Sequence, residues 1–276
     1  MNSLCIIAIK EIQEGLRNRW VLATTLLLLA LSLTLSFLGS APTGNVGVRA
    51  LDVVIVSLSS LSIFLLPLIA LLISYDAIVG EVDRGTMLLL LSYPVARWQV
   101  LLGKFLGHLA ILAFATILGY GATAVALALT GTPIEAESWI AFARLIGSSI
   151  LLGAVFVAIG YLISAQVQDR GTAGGIAIGI WLLLVLLYDM AILGFLVADQ
   201  GRTLSAGLLN MLLLLNPTDT YRMFNLAGSA GVSSLSGMAG LAEVQTLQPS
   251  VLLGMLAVWI LVPLALATTI FSRREL

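Results

Sequence analysis

Apolar residues run along this chain in blocks long enough to cross a bilayer, with the charged positions falling between the blocks. A spanning helix needs about 20 predominantly apolar residues. Six intervals meet that requirement: Trp20 to Leu38, Val53 to Tyr75, Phe105 to Leu129, Leu145 to Val167, Thr172 to Ala198 and Val251 to Phe271. Met223 to Ala242 is also uncharged, but its glycines and serines (Gly228, Ser229, Gly231, Ser233, Ser234) describe a flexible loop. Leu204 to Leu215 is more apolar, yet Asn210 interrupts it and Asn216 and Pro217 end it. That stretch is too short to span, and either lies at the interface or dips in as a re-entrant helix. Ahead of the first span, Leu4, Ile7, Ile12 and Leu16 fall mainly on one side of a helix, with Lys10, Glu11, Gln13 and Glu14 around the rest. This pattern predicts an elbow helix over residues 1–19 lying along the membrane surface. A simple extension of the first span is the other reading.

Composition narrows the class. Hydrophobic residues make up 60% of the 276 and charged residues 10%, against roughly 25% charged in an ordinary soluble domain. The chain is read as an all-α integral membrane protein, and a large soluble catalytic domain is excluded. A net charge of -1 offers no basic face to nucleic acid, and one cysteine excludes an internal disulfide framework or thiolate metal cluster. Lys and Arg resist translocation. With six spans, nine basic residues fall on one side (Lys10, Arg17, Arg19, Arg84, Arg97, Lys104, Arg170, Arg273, Arg274) and four on the other (Arg49, Arg144, Arg202, Arg222). Both termini are therefore expected in the cytoplasm, with a cytoplasmic loop at 76–104 and an external loop at 199–250. No cleavable signal peptide is expected before the first span.

Residues 80 to 107, GEVDRGTMLLLLSYPVARWQVLLGKFLG, carry more than topology. Glu81, Asp83 and Arg84 precede an apolar stretch too short to span, Pro94 breaks it, and Arg97, Trp98 and Lys104 lead into the third span. The pattern GxxxxGTxxLLLSxPVxRWxVLLGKFLG resembles the first cytoplasmic loop of type-2 ABC-transporter permeases. The charged elbow KEIQEGLRNRW at 10 to 20 and the six spans resemble the same family, so the likeness covers the whole chain. ISYDAIVGEVDRGT at 73 to 86 and LLNPTDTYRMFNL at 214 to 226 are similar to members that serve copper-site assembly in nitrous oxide reductase.

The resemblance implies a single permease domain over 1–276 that forms a homodimer in the bacterial inner membrane. It also implies a coupling helix that inserts into an ABC ATPase subunit, with Glu81, Asp83, Arg84, Pro94 and Arg97 as contacts. Asp169 and Arg170, in the short second cytoplasmic loop, form a smaller contact or a plain tight turn. No GxxxxGK[ST] phosphate loop occurs, so ATP and Mg are expected in the partner ATPase, with no cofactor, catalytic residue or metal in this chain. A periplasmic protein is the expected external partner. An intramembrane hydrolase is disfavoured by the lone histidine, and a secondary transporter by the lack of internal repeats.

Inside the spans, Asp189 stands roughly 15 Å from the outer end of the fifth, at 1.5 Å per residue. It is either a gate or pathway residue, together with Asn216, Pro217 and Tyr221, or a hydrogen-bonded acid between helices. Gly171, Gly175 and Gly179 leave a side-chain-free stripe for helix packing, within one subunit or across a dimer. The hydroxyls of Ser32, Thr34 and Ser36 and of Ser57, Ser59, Ser60 and Ser62 either bond to their own helices or line a polar path. His108 reads as an interfacial structural residue.

Overall fold

The computed structural model describes residues 3–17, 19–39, 50–129, 136–199, 206–226 and 247–274, and every regular element among them is helical. In order these are α1 (Ser3–Leu16), α2 (Arg19–Gly39), α3 (Ala50–Ser74), α4 (Val79–Asp83), α5 (Thr86–Leu91), α6 (Arg97–Leu129) and α7 (Ala136–Gln166). They continue with α8 (Arg170–Leu182), a π-helical turn (Leu183–Leu187), α9 (Tyr188–Asp199), α10 (Ala206–Leu214), α11 (Pro217–Leu226) and α12 (Pro249–Arg273). Five stretches, built on α3, α6, α7, α8–α9 and α12, are long and apolar enough to cross a membrane, and the bent pair α1 and α2 supplies up to a sixth. Of Met223 to Ala242, read from sequence as a flexible loop, the first four residues instead close α11, and 227–242 lie outside the described residues.

Two of the expected spans begin eight and nine residues before their apolar runs. The third helix starts at Arg97 rather than Phe105, and the fourth at Ala136 rather than Leu145. Polar residues at a helix end carry their own partners, so the backbone ladder continues past the hydrophobic edge. The surface helix expected before Pro94 is instead two short ones, α4 and α5, separated by Gly85 at φ 71°. Only glycine adopts that left-handed conformation without steric cost.

α7 is the hub of the bundle and meets α3, α6, α8, α11 and α12. Small residues make this possible: a Cβ added at Gly160 would overlap Ser74 of α3, and one at Gly153 would overlap Leu112 of α6. Consequently 72% of the best apolar window of α7 is buried, against 17% for α8–α9, which lies at the edge. Contacts gather α1, α4, α5, the turn at 167–169 and the last turn of α12 at one end of the bundle, called here the elbow end. The pair α10 and α11 forms a hairpin against the π turn and α9, and marks the hairpin end.

Candidate functional site

At the elbow end, α1 approaches α6 closely because Gly103 and Gly107 present no side chain to it. A Cβ at Gly103 would sit 2.9 Å from that of Ile7, and one at Gly107 would overlap Glu11. This contact turns Ile7 and Glu11 inward and leaves Leu4 and Ile12 half-buried, so the face expected for the elbow is corrected at Glu11, which joins it, and at Leu16, which is exposed. Within the contact, Lys104 Nζ reaches Glu11 Oε1 at 2.5 Å and Glu81 Oε1 at 2.7 Å. One ammonium thus joins the elbow helix, α6 and α4. His108 Nδ1 lies 2.8 Å from the Tyr161 hydroxyl, and its Nε2 3.7 Å from Glu11. That places His108 within the bundle, in a structural role.

The loop from Asp76 to Ala96 is tied down at several further points. Ser164 Oγ of α7 accepts hydrogen bonds from the backbone N–H groups of Ile78 (2.9 Å) and Val79 (3.0 Å). Arg170 pairs with Asp76 at 2.6 Å, so the two loops at this end are joined. Asp169 caps α8 by accepting the Thr172 N–H at 2.8 Å, and hydrogen bonds from Thr172 hold its carboxyl below the usual carboxylate range. Arg97 donates through Nη1 to the carbonyls of Phe271 (3.0 Å) and Arg274 (2.6 Å), at the end of α12. A cation suits that carbonyl-rich terminus.

The contact residues read from sequence therefore divide. Glu81 is buried on Lys104, and Arg97 and Arg170 are engaged within the chain. Asp83, Arg84, Pro94 and Asp169 are exposed. Sequence reasoning passed over Leu88, Leu89 and Tyr93, whose exposures of 60%, 68% and 68% give the loop an apolar outer face.

At the hairpin end, Asn216 sits in the bend between α10 and α11, and Pro217 opens α11. Asn216 Nδ2 donates to the Leu184 carbonyl at 2.8 Å and to Asp219 Oδ2 at 3.1 Å. Leu184 lies fifteen residues before the end of α9, a depth of roughly 22 Å at 1.5 Å per residue. The bend at Asn216 thus packs against the interior of the α8–α9 span rather than beside its end. Asp189 pairs with Arg222 at 2.7 Å, and Arg222 also holds Asp219 at 2.8 Å. Asp189 is thus ion-paired between helices. Asp219 and Arg222 were missed because they read as external loop charges, although their spacing of three on a helix was the available signal.

Tyr221 is fully buried, and its hydroxyl meets Ser149 Oγ at 2.9 Å. Ser149 in turn approaches Ser62 (3.4 Å), and Ser62 contacts the Tyr120 hydroxyl at 2.6 Å. These groups draw α11, α7, α3 and α6 together. Ser62 also bonds to the Leu58 carbonyl of its own helix, as Thr34 does to Ala30. The hydroxyls thus bond both to their own helices and across them. Among the described residues, a Cβ at Gly175 or Gly179 meets nothing within 4 Å, whereas one at Gly171 meets Asp169 Oδ1 at 3.3 Å, so most of the stripe makes no close packing there.

A bundle of five or six membrane-length helices, with a braced loop at one end and a helical hairpin at the other, defines a multi-span membrane protein. The sequence profile of the ABC-2 family transporter proteins matches residues 5–276, and the chain belongs to that family. It is 48% identical over 271 residues to the probable ABC transporter permease protein NosY of Pseudomonas aeruginosa, covering 98% of each chain. It is 47% identical over 276 residues to the protein of the same name from Stutzerimonas stutzeri, covering 99% of each. Family membership fits the non-catalytic transmembrane subunit of an ABC transporter.

Proposed function

We propose that this permease passes work from an ATPase at its elbow end to a partner at its hairpin end, in the service of copper-site assembly in nitrous oxide reductase. The elbow end then faces the cytoplasm and the hairpin end the periplasm of a bacterial inner membrane, in line with the nine-to-four distribution of basic residues. A NosF-like ATPase binds ATP and Mg, a NosD-like periplasmic protein meets the hairpin, and two permeases pair as a homodimer. The open glycine stripe of α8 supports that pairing.

The observation that carries the reading is the two-sided loop around α4 and α5. Its inner side is fixed by Lys104, Ser164 and Arg170, while its outer side shows Leu88, Leu89 and Tyr93 beside Asp83 and Arg84. An apolar patch rimmed by charge on a rigid base is suited to docking a protein. Glu81 serves as a brace, and Asp83 and Arg84 as the contacts.

Export of an unrelated small molecule or lipid is the alternative. It would use the buried hydroxyls as its polar track, but these are engaged with one another, which favours work transfer. Copper(I) needs several soft ligands close together. His108 is bonded to Tyr161, and Met190 and Met211 are 68% exposed, so copper reaches the enzyme without crossing this chain. The test is a triple variant, Asp83→Lys, Arg84→Glu and Leu89→Asp, co-expressed with the ATPase. Membrane recruitment of the ATPase is expected to fall at least tenfold with the permease inserted at its normal level. Unchanged recruitment would overturn the reading.

A further inference from the structure

We propose that the π-helical turn Leu183–Leu187 is a register switch that latches the helical hairpin. The span containing it holds the hairpin at three places. The Leu184 carbonyl accepts from Asn216 Nδ2 at 2.8 Å and Thr218 Oγ1 at 3.4 Å. Tyr188 donates its hydroxyl to the Leu212 carbonyl at 2.6 Å, and Asp189 takes Arg222 at 2.7 Å. Asn216 is itself fixed, because its Oδ1 accepts both the N–H (3.1 Å) and the hydroxyl (2.8 Å) of Thr218. The hairpin tip is thus a preformed donor seated on one carbonyl of the π turn.

Helical phase explains why the seat lies there. In an α-helix Asp189, five residues beyond Leu184, would point about 140° away from it, because each residue turns about 100°. The wider i→i+5 turn rotates less per residue and swings Asp189 back toward the side of Leu184, so the span meets both the tip and the side of the hairpin. If the turn closes into α-helix with no residue removed, α9 rotates about 100° relative to α8. Tyr188 and Asp189 then leave the hairpin together. Occupation of the Leu184 carbonyl by Asn216 and Thr218 favours the π register, and the π register favours docking. The two arrangements are discrete, as a switch requires.

Removing one residue from the π turn gives a specific test, because it makes the turn α-helical while keeping α8 and α9 in phase. Spin labels at Met190→Cys and Met211→Cys, both exposed positions, report the separation of α9 and α10 in a Cys5→Ser chain in nanodiscs. The pair Asn216→Leu and Thr218→Val is expected to broaden and lengthen the single docked distance. Deletion of Leu186 on top of that pair is expected to restore it. An unchanged distribution in the double variant, or no restoration by the deletion, overturns the latch. Amide exchange across 206–226 is the second measurement, made on the Leu186 deletion alone should the double variant misfold. Exchange at least threefold slower than in the parent is expected, and equal or faster exchange overturns the proposal. Neither measurement involves the ATPase, so the latch and the proposed function fail independently.

Discussion

The two ends of the molecule are held by triads of the same composition, two carboxylates and one base, built to different degrees of closure. In the elbow triad the side chains of Glu11, Lys104 and Glu81 are all under a tenth exposed, and they come from three separate elements. In the hairpin triad Arg222 and Asp189 are 30% and 22% exposed, Asp219 is buried, and two of the three groups share one helix. A buried base between two buried acids holds its elements as one body, because removing the base leaves two uncompensated carboxylates away from water. A partly solvated triad loses less when it opens, since water takes over part of its solvation. The elbow end is accordingly the more tightly joined of the two, and the hairpin end the easier to open.

The largest test of that contrast is Lys104→Met. Two buried carboxylates then face each other, and stability is expected to fall by about 3–5 kcal/mol, read from denaturant unfolding of the purified permease. Replacing Glu11, Glu81 and Lys104 together by Met should recover most of the loss, and failure to recover would place the cost in packing. Arg222→Met should cost less, about 1–3 kcal/mol before discounting for solvent screening of the exposed groups. That loss should show as faster amide exchange confined to α10 and α11. An equal, global loss in both variants would erase the distinction between the ends. The smallest effect separates glycines. Gly107→Ala, whose new methyl overlaps Glu11, should destabilise by about 1–3 kcal/mol, whereas Gly175→Ala should leave unfolding of the monomer unchanged.

Much of the architecture was legible in the sequence, for a physical reason. A bilayer imposes one length on every span, so the six apolar runs could be counted directly. The braces were harder to read. Lys104 was read as a topological charge, yet it stands between Gly103 and Gly107, a spacing that marks close helix approach. Its partners lie 93 residues upstream and on a separate short helix, and no periodicity links such distant positions. Asp189 was singled out because an acid inside a span needs a partner, but the partner sat in a segment whose depth its length left open. The π turn left no mark at all in the leucine-rich run, since Leu183–Leu187 would serve an α-helix equally well.

The clasp between Glu11 and Lys104 also fixes an order of assembly. Synthesis delivers about 5–20 residues per second, so the 93 residues between these groups separate their emergence by roughly 5–20 s. During that interval Glu11 is without Lys104, and α1 has no seat on α6. Arg97 waits longer for the carbonyl of Arg274, 177 residues downstream. α1 thus cannot take its seat on α6 until the third span has been made, and the clasp of Arg97 on the end of α12 closes later still.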